Sequence, residues 1–93
     1  MKSMKMTLTW REKYRLALKE SLTIKEIMLL RECGQPKATK IRDDSILYCL
    51  KNNIATEYRR VSTEAIFQIT GLNLQYYYEK MVQEQKLNIC LED

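Results

Sequence analysis

Apolar residues recur at helical spacing near the start of the chain. The first predicted helix begins at Thr9, because Thr9 and Glu12 have the spacing of a capping box, in which two side chains satisfy free backbone N–H groups. One face of this helix holds Trp10, Tyr14, Ala17 and Ser21, at i, i+4, i+7 and i+11. The basic residues Arg11, Arg15 and Lys19 fall on another face. Such a row of basic residues is explained either by a helix face that is exposed to solvent or by contact with the phosphates of a nucleic acid.

A second and a third helix are predicted on either side of Gly34. Thr23 opens the second helix with capping-box spacing to Glu26. Gly34 is expected to end it, because glycine readily takes the left-handed conformation of a helix end. Proline suits a first helical turn, so the third helix is predicted from about Pro36 to Asn52. Its buried side is predicted to hold Ala38, Ile41, Ser45 and Cys49, with Ile46 and Leu50 alongside. Two helices joined by so short a connection around Gly34 are expected to form a helix-turn-helix pair.

The stretch from Ile54 to Val61, IATEYRRV, mixes β-branched, aromatic and basic residues. This composition favours two short strands joined by a tight turn, with Glu57 and Tyr58 near the tip. The expected element is a short β-hairpin, with Arg59 and Arg60 on its returning side.

Two more helices are predicted in the last third of the chain. Ser62 caps the fourth helix, which is expected to run to about Thr70 and to end at Gly71. Asn73 caps a fifth helix that is expected to reach about Leu87. Its apolar stripe holds Leu74, Tyr77, Tyr78, Met81 and Val82. The 93 residues suit a single domain that is mainly α-helical.

Charge is distributed unevenly along the chain. Residues 1–60 contain 14 Lys and Arg against 7 Asp and Glu, a net charge of 14 − 7 = +7, whereas residues 61–93 contain 2 against 5, a net charge of 2 − 5 = −3. A basic segment suits a polyanionic partner, usually a nucleic acid. Extra lysines that only maintain solubility would produce the same excess, so charge alone leaves both interpretations open.

Candidate catalytic and metal-binding residues are scarce, and we expect this chain not to be an enzyme. It contains no histidine, no glycine-rich phosphate loop and no GxSxG sequence. The acidic pair Asp43-Asp44 projects in diverging directions from a helix, and so does Glu92-Asp93. Three widely separated cysteines are a poor zinc site, so buried, reduced thiols are expected at Cys33, Cys49 and Cys90. No metal or cofactor is predicted.

The longest run of aliphatic residues and methionine is Ile27–Leu30, only four residues, whereas a bilayer-spanning helix needs about 20. The N-terminal residues MKSMKMTLTW also lack the apolar run of a secretion signal. We therefore expect a cytoplasmic protein without a membrane segment.

Polar residues that suit DNA recognition gather near the start of the third helix. Lysine and arginine bind guanine acceptors, glutamine reads adenine, and threonine reaches a base or a phosphate. The candidate residues are Gln35, Lys37, Thr39, Lys40 and Arg42. Asp43 and Asp44 follow one turn later and would repel phosphates, unless Asp44 pairs with Lys40 at i, i+4.

The order of these elements resembles the winged helix-turn-helix of the excisionase and MerR-type families, and the short helix-turn-helix proteins of phages and conjugative elements. Leu22–Ile27, LTIKEI, matches the family's first helix start, and Gly34–Ile41 matches the turn and recognition helix. Arg59–Val61 matches the returning strand of the wing, and Ser62–Ile66, STEAI, matches the closing helix. The resemblance covers about residues 22–72. It implies a winged core, and the predicted flanking helices at 9–21 and 73–87 lie outside the family core.

The resemblance also implies a function, namely duplex DNA binding with the third helix in the major groove. Tyr58, Arg59 and Arg60 would then lie on phosphates, and the role would be that of an excisionase-like recombination directionality factor or a transcriptional regulator of a mobile element. The chain departs from the family in lacking the glycine that turns the wing and in having a longer third helix. A single module covers only about 600–1,000 Å² of DNA-binding surface, so we expect a homodimer, tandem binding, or a recombinase or other protein partner.

The consecutive tyrosines Tyr76, Tyr77 and Tyr78 suggest a different function. Tyr77 and Tyr78 share the apolar stripe and are expected to pack internally, whereas Tyr76 is expected to be exposed. The flanking helices could pack together as an added layer or form a dimer interface, with Tyr76, Tyr77 and Met81 as candidate interaction residues. The alternative function is a phage or element-encoded protein-interaction module that inhibits a host factor or nuclease through its C-terminal helix. RNA binding is a third option.

Overall fold

Five helices and a two-stranded antiparallel sheet make up the fold in the computed structural model, which describes residues 8–92 and the side chains of residues 8–87. The elements in chain order are α1 (Trp10–Ala17), β1 (Ser21–Leu22), α2 (Ile24–Arg31), α3 (Gln35–Lys51), β2 (Val61–Ser62), α4 (Thr63–Thr70) and α5 (Leu74–Glu92). The prediction of a mainly helical fold is confirmed. Among the described residues, none of the helices has both the length and the apolar character needed to cross a bilayer.

Side chains at the helix starts form the hydrogen bonds that the sequence predicts. Thr9 accepts from the backbone N–H of Glu12, and the Glu12 carboxylate accepts from the N–H of Thr9. Thr23 and Glu26 form the same reciprocal pair at α2, and the Ser62 hydroxyl accepts from the start of α4. These bonds satisfy N–H groups that have no partner inside the helix, so they determine where each helix begins.

The first helix is shorter than predicted. α1 ends at Ala17, and Ser21, predicted on its apolar face, lies in strand β1 because it pairs with Ser62 in the sheet.

The end of α2 also differs from the prediction. The helix stops at Arg31, and Glu32, with φ 51°, is the residue in the left-handed conformation. Gly34 has φ −80° and ψ 174° and instead begins α3 as its N-cap. A non-glycine residue adopts this conformation at a cost, and the carboxylate of Glu32 forms an ion pair with Lys13 of α1.

The predicted β-hairpin within residues 54–61 is not formed. Residues 54–60 contain no strand. Val61–Ser62 instead pairs antiparallel with Ser21–Leu22, the strand between α1 and α2. Leu22 lies opposite Val61, and both side chains are almost fully buried. Burial of this pair therefore favours a long-range strand pairing over a local hairpin for which the sequence has no turn glycine.

The last two helices follow the predicted boundaries at three of their four ends. α4 ends at Gly71, whose φ of 78° is in the region that favours glycine. The Asn73 side-chain oxygen accepts from the N–H of Tyr76 at 2.8 Å and caps the start of α5. The fourth end differs, because α5 continues past Leu87 to Glu92.

A single hydrophobic core lies between the helices, with α3 packed against both α2 and α4. Its buried residues are Ala17, Leu22, Ile27, Leu30, Ala38, Ile41, Val61, Ile66 and Tyr77. The predicted buried side of α3 is confirmed for Ala38, Ile41, Ser45 and Cys49. Cys49 is a buried free thiol and Cys33 a half-buried one, while Cys90 lies outside the described side chains.

The flanking helices α1 and α5 pack against each other as an added layer. The Trp10 ring lies 6.0 Å from that of Tyr76 and 6.2 Å from that of Tyr77, centroid to centroid. The Glu84 carboxylate accepts from the backbone N–H groups of Trp10 at 3.2 Å and Arg11 at 3.3 Å. A carboxylate of α5 thus completes the N-terminus of α1, where negative charge is favourable.

Lys13 is a buried cation that the sequence pattern does not reveal. It is 4% exposed and pairs with Glu32, and its ammonium lies 4.1 Å from the centroid of the Trp10 ring. Glu32 is far less buried, with 47% of its side chain exposed. Loss of Glu32 would therefore leave a buried charge unpaired, whereas loss of Lys13 would leave a carboxylate that water reaches.

We expect Glu32→Ala to lower the free energy of unfolding by about 1–3 kcal/mol, because it leaves the Lys13 ammonium buried without its counter-charge. Lys13→Met should lower it by less than about 1 kcal/mol, since it leaves a carboxylate that water reaches and keeps the apolar stem. Urea denaturation followed by circular dichroism compares the two. A larger loss in Lys13→Met would contradict the burial difference between the partners.

Candidate nucleic-acid interface

The helices α2 and α3 are joined by a short turn at residues 32–34 and pack against each other. Ile27 and Leu30 of α2 belong to the same core cluster as Ala38 and Ile41 of α3. Because the core holds the inner side of α3, the opposite side of its first turns faces outward.

The start of α3 presents several polar groups together. Gln35, Lys37 and Lys40 are exposed, and Thr39 is half-buried. The N-cap Gly34 has no side chain to accept from the first turn, and no side-chain cap hydrogen bond forms there. Free N–H groups at a helix start, together with two ammonium groups, favour an anion such as a phosphate. Four of the five predicted residues of this helix thus lie in its first two turns, and three of them are exposed.

The outward surface of α3 changes character along the helix. Lys40 is 77% exposed and lies 3.4 Å from the Asp44 carboxylate, the predicted i, i+4 pair. Further along, Leu47 is 53% exposed and Leu50 is 60% exposed. The expectation that Leu50 lies beside the buried face is therefore wrong. In the sequence, this exposed apolar surface is indicated by Leu47 and Leu50, which are three residues apart and lie away from the buried side. The exposed lysines of α3 therefore lie in its first turns, at Lys37 and Lys40, and in its last turn, at Lys51, with the exposed leucines between them.

Arg42 occupies a different environment from the other predicted DNA contacts. Its side chain is 12% exposed, its Nε donates to Asp43 at 3.1 Å, and its guanidinium lies 4.1 Å from the centroid of the Tyr58 ring. These contacts leave little of Arg42 for DNA, so its predicted role is corrected to holding the 54–60 loop against α3. Tyr58 is 66% exposed above it.

The exposed arginines of this loop differ in how they are held. The Arg60 guanidinium donates to the Ser21 hydroxyl at 3.1 Å and to the Ser21 carbonyl at 3.2 Å, which ties the loop to β1. Arg59 is exposed and forms no ion pair with any side chain among residues 8–87. The loop thus presents two cations beside α3, although it does not form a hairpin.

Glu26 is an acidic group near Arg60, and its charge is compensated. Burial acts to raise the pKa of its carboxyl, but the hydrogen bonds from Lys19 and Thr23, with the positive charges of Lys19 and Arg60, lower the pKa below its usual value. Glu26 is therefore ionised at neutral pH and pairs with Lys19. Its negative charge is partly offset by these cations.

The tyrosines of α5 are arranged differently from the prediction. Tyr77 is 1% exposed, so as a predicted interaction residue it is unavailable to a partner. Tyr76 was expected to be exposed, yet it is half-buried against Trp10, and Tyr78 is 45% exposed although it shares the apolar stripe. Met81 is half-buried. The position of α1 causes these differences, because it covers the side of α5 that carries Tyr76 and Tyr77.

Comparison of the chain with protein-family models, with curated proteins and with solved structures finds no significant match.

Proposed function

We propose that this chain binds duplex DNA, with the first turns of α3 in the major groove and the 54–60 loop on flanking phosphates. The observation that carries this proposal is the exposed group of Gln35, Lys37 and Lys40 at a helix start without a side-chain cap. In helix-turn-helix proteins, residues near the N-terminus of the second helix reach the base edges.

The chemistry of the three side chains suits both parts of a DNA contact. The major groove, about 12 Å wide, admits one α-helix. Lys37 and Lys40 supply donors for guanine acceptors or phosphates, and Gln35 has the paired donor and acceptor that adenine requires. Since Asp43 and the exposed Leu47 follow on the same side, only the N-terminal half of α3 would enter the groove.

The 54–60 loop supports the same orientation. It is held at Tyr58 by Arg42 of α3 and at Arg60 by Ser21 of β1, so its position is defined at one point on each of these elements. Arg59 lies between these anchors and is exposed. Phosphate contacts on the flank of a recognition helix set its register and orientation on the duplex.

The resemblance to excisionase and MerR-type proteins suggests the role of this binding. A recombination directionality factor or a transcriptional regulator of a mobile element would use the interface in this way. Since one module of 93 residues offers a small surface, we expect a homodimer, tandem binding or a recombinase partner.

A fluorescence-anisotropy titration with labelled random-sequence duplex DNA at about 50 and 200 mM salt tests the proposal. Each neutralised phosphate contributes roughly 0.9 to the slope of log K against log salt, so affinity should fall steeply as salt rises. Absence of binding at the lower salt would contradict the proposal. The same assay with duplex and single-stranded RNA separates DNA binding from the RNA alternative.

The double variant Arg59→Ala/Arg60→Ala should weaken binding to all sequences and reduce the slope of log K against log salt by about two units. Two exposed arginines of α1 provide the matched control, Arg11→Ala/Arg15→Ala, which should change the slope by less than one unit if α1 lies away from DNA. Circular dichroism checks that loss of the Arg60–Ser21 hydrogen bonds leaves the fold intact. An unchanged slope in the loop variant would remove this loop from the interface.

A second candidate function, that of a protein-interaction module, is favoured by exposed apolar residues at the end of α1 and on α5. Leu18 is 55% exposed, Leu74 37% and Tyr78 45%, and Tyr14 lies beside Tyr78 with a centroid distance of 5.7 Å. If DNA binding is absent at low salt, a purified host factor that binds the wild-type chain but not Tyr78→Ser would support this candidate. Equal binding of that factor by both chains would contradict it.

A further inference from the structure

The second half of α3 exposes neighbouring apolar side chains. Leu47 and Leu50 are both exposed and lie three residues apart, on the side of the helix opposite the buried Ser45 and Cys49. Ile54, just after the helix, is exposed as well. Single exposed leucines are common on protein surfaces, whereas a contiguous apolar patch marks an interaction surface. We call Leu47, Leu50 and Ile54 the leucine patch.

The backbone at the end of α3 holds Ile54 beside the last turn. The Ile54 N–H donates to the carbonyl of Cys49 at 2.8 Å, and the Asn53 N–H donates to the carbonyl of Leu50 at 3.4 Å. Asn53 has a φ of 56°. Two such hydrogen bonds around one left-handed residue form a Schellman motif, which closes a helix end. The leucine patch therefore has a defined shape, so a partner would need to order little of it.

Charged side chains of opposite sign flank the two ends of the leucine patch. Asp44 comes three residues before Leu47, and Lys51 directly follows Leu50. Asp44 and Lys51 are seven residues apart, about two helical turns, so they lie on the same flank of α3. Asp44 is half-buried and pairs with Lys40 at 3.4 Å, whereas Lys51 is exposed and forms no ion pair with any side chain of residues 8–87.

A surface with one acidic and one basic end is complementary to a copy of itself. In a two-fold symmetric dimer, both copies use the same patch. If two α3 helices run antiparallel, with Leu47 of each against Leu50 of the other, the flanks that carry the charges face each other. Asp44 of each copy then lies near Lys51 of the other copy. A parallel arrangement would instead bring the two acidic ends together, which is unfavourable.

We propose that a second copy of this chain docks on the leucine patch, with the two α3 helices antiparallel and Asp44 of each copy paired with Lys51 of the other. Lys37 and Lys40 lie at the outer ends of this helix pair, away from the leucines in contact, so the dimer leaves them exposed. The proposal gives a surface to the homodimer expected above, but it does not depend on DNA binding.

Sedimentation equilibrium without DNA tests the proposal. The patch is smaller than a standard interface, so we expect a monomer–dimer equilibrium with a dissociation constant on the order of 100 µM. Leu47→Ala/Leu50→Ala should raise this constant about tenfold or more, because the central apolar contacts are lost from both copies. A wild-type chain that stays monomeric up to about 1 mM would overturn the proposal, whatever its affinity for DNA.

Exposed leucines outside α3 provide the matched control. Leu18, at the end of α1, and Leu87, on α5, are as exposed as those of the patch. Leu18→Ala/Leu87→Ala should dimerise as the wild type does, and circular dichroism should show the same helix content in both double variants. Equal weakening of the dimer by both double variants would contradict docking on α3.

Reversing the charges tests the direction of the two helices. Exposed ion pairs contribute little to affinity, but like charges placed opposite each other oppose association. Asp44→Lys and Lys51→Glu should therefore each weaken self-association. An equimolar mixture of the two variants should dimerise about as well as the wild type, because both pairs across the mixed dimer again have opposite charges. Since mixing leaves each fold unchanged, a mixture that associates no better than its components would contradict the antiparallel arrangement.

Discussion

Lys37→Ala and Lys40→Ala should each weaken binding to a preferred duplex by about 1–3 kcal/mol, roughly 5- to 150-fold, if the lysine reads a base. Both side chains are exposed at the start of α3, and the Asp44 carboxylate 3.4 Å from Lys40 is itself partly exposed and should compete only weakly with DNA. A duplex selected from a random pool and a scrambled duplex, compared by anisotropy, measure both affinity and sequence preference.

Lys51→Ala is the matched control, because Lys51 is also exposed on α3 but lies in its last turn. It should change affinity by less than about twofold if only the first turns enter the groove. If Lys37→Ala and Lys40→Ala lower affinity equally for both duplexes, these lysines contact only phosphates. An equal loss in Lys51→Ala would contradict the orientation proposed for α3.

Ile66→Ala should lower the free energy of unfolding by about 2–5 kcal/mol, because it deletes a fully buried side chain and leaves a cavity. Ile66 belongs to the core cluster that contains Leu22 and Val61, the opposed residues of the sheet. For a domain whose total stability is about 5–15 kcal/mol, this loss is a large share. Urea denaturation followed by far-UV circular dichroism measures it.

Ile69→Ala removes the same number of atoms from the same helix and serves as the control. Ile69 is 38% exposed, so we expect a loss of about 1 kcal/mol or less. Similar losses at both positions would mean that α4 does not pack through the face that carries Ile66.

The main residues of the proposed interface could be predicted from the sequence. Pro36 suits the first turn of a helix, and Ala38 and Ile41 mark its buried side, so Lys37 and Lys40 must lie elsewhere on its surface. Helical geometry relates these positions within a few residues of one another, so no distant part of the chain is needed to place them.

For other candidate residues, the local sequence does not predict which side chains are exposed. Arg42 is polar and lies near the helix start, yet Tyr58, 16 positions later, covers it. Tyr76 is more buried and Tyr78 more exposed than the sequence predicts, because α1 covers one side of α5. A helix periodicity indicates which residues share a face, but the neighbouring element decides whether that face is covered.

The sequence by itself determines the helix starts, through local interactions, and the basic character of the first 60 residues, through composition. Thr9 with Glu12 and Thr23 with Glu26 lie three residues apart, so their hydrogen bonds depend only on the local sequence. The pairing of β1 with β2, the burial of Lys13 against Glu32 and the packing of Trp10 against Tyr77 join residues that are distant in the chain. Bringing residues that are distant in the chain together costs conformational entropy. Only the burial of the whole core offsets that cost, so these contacts are decided by the tertiary structure.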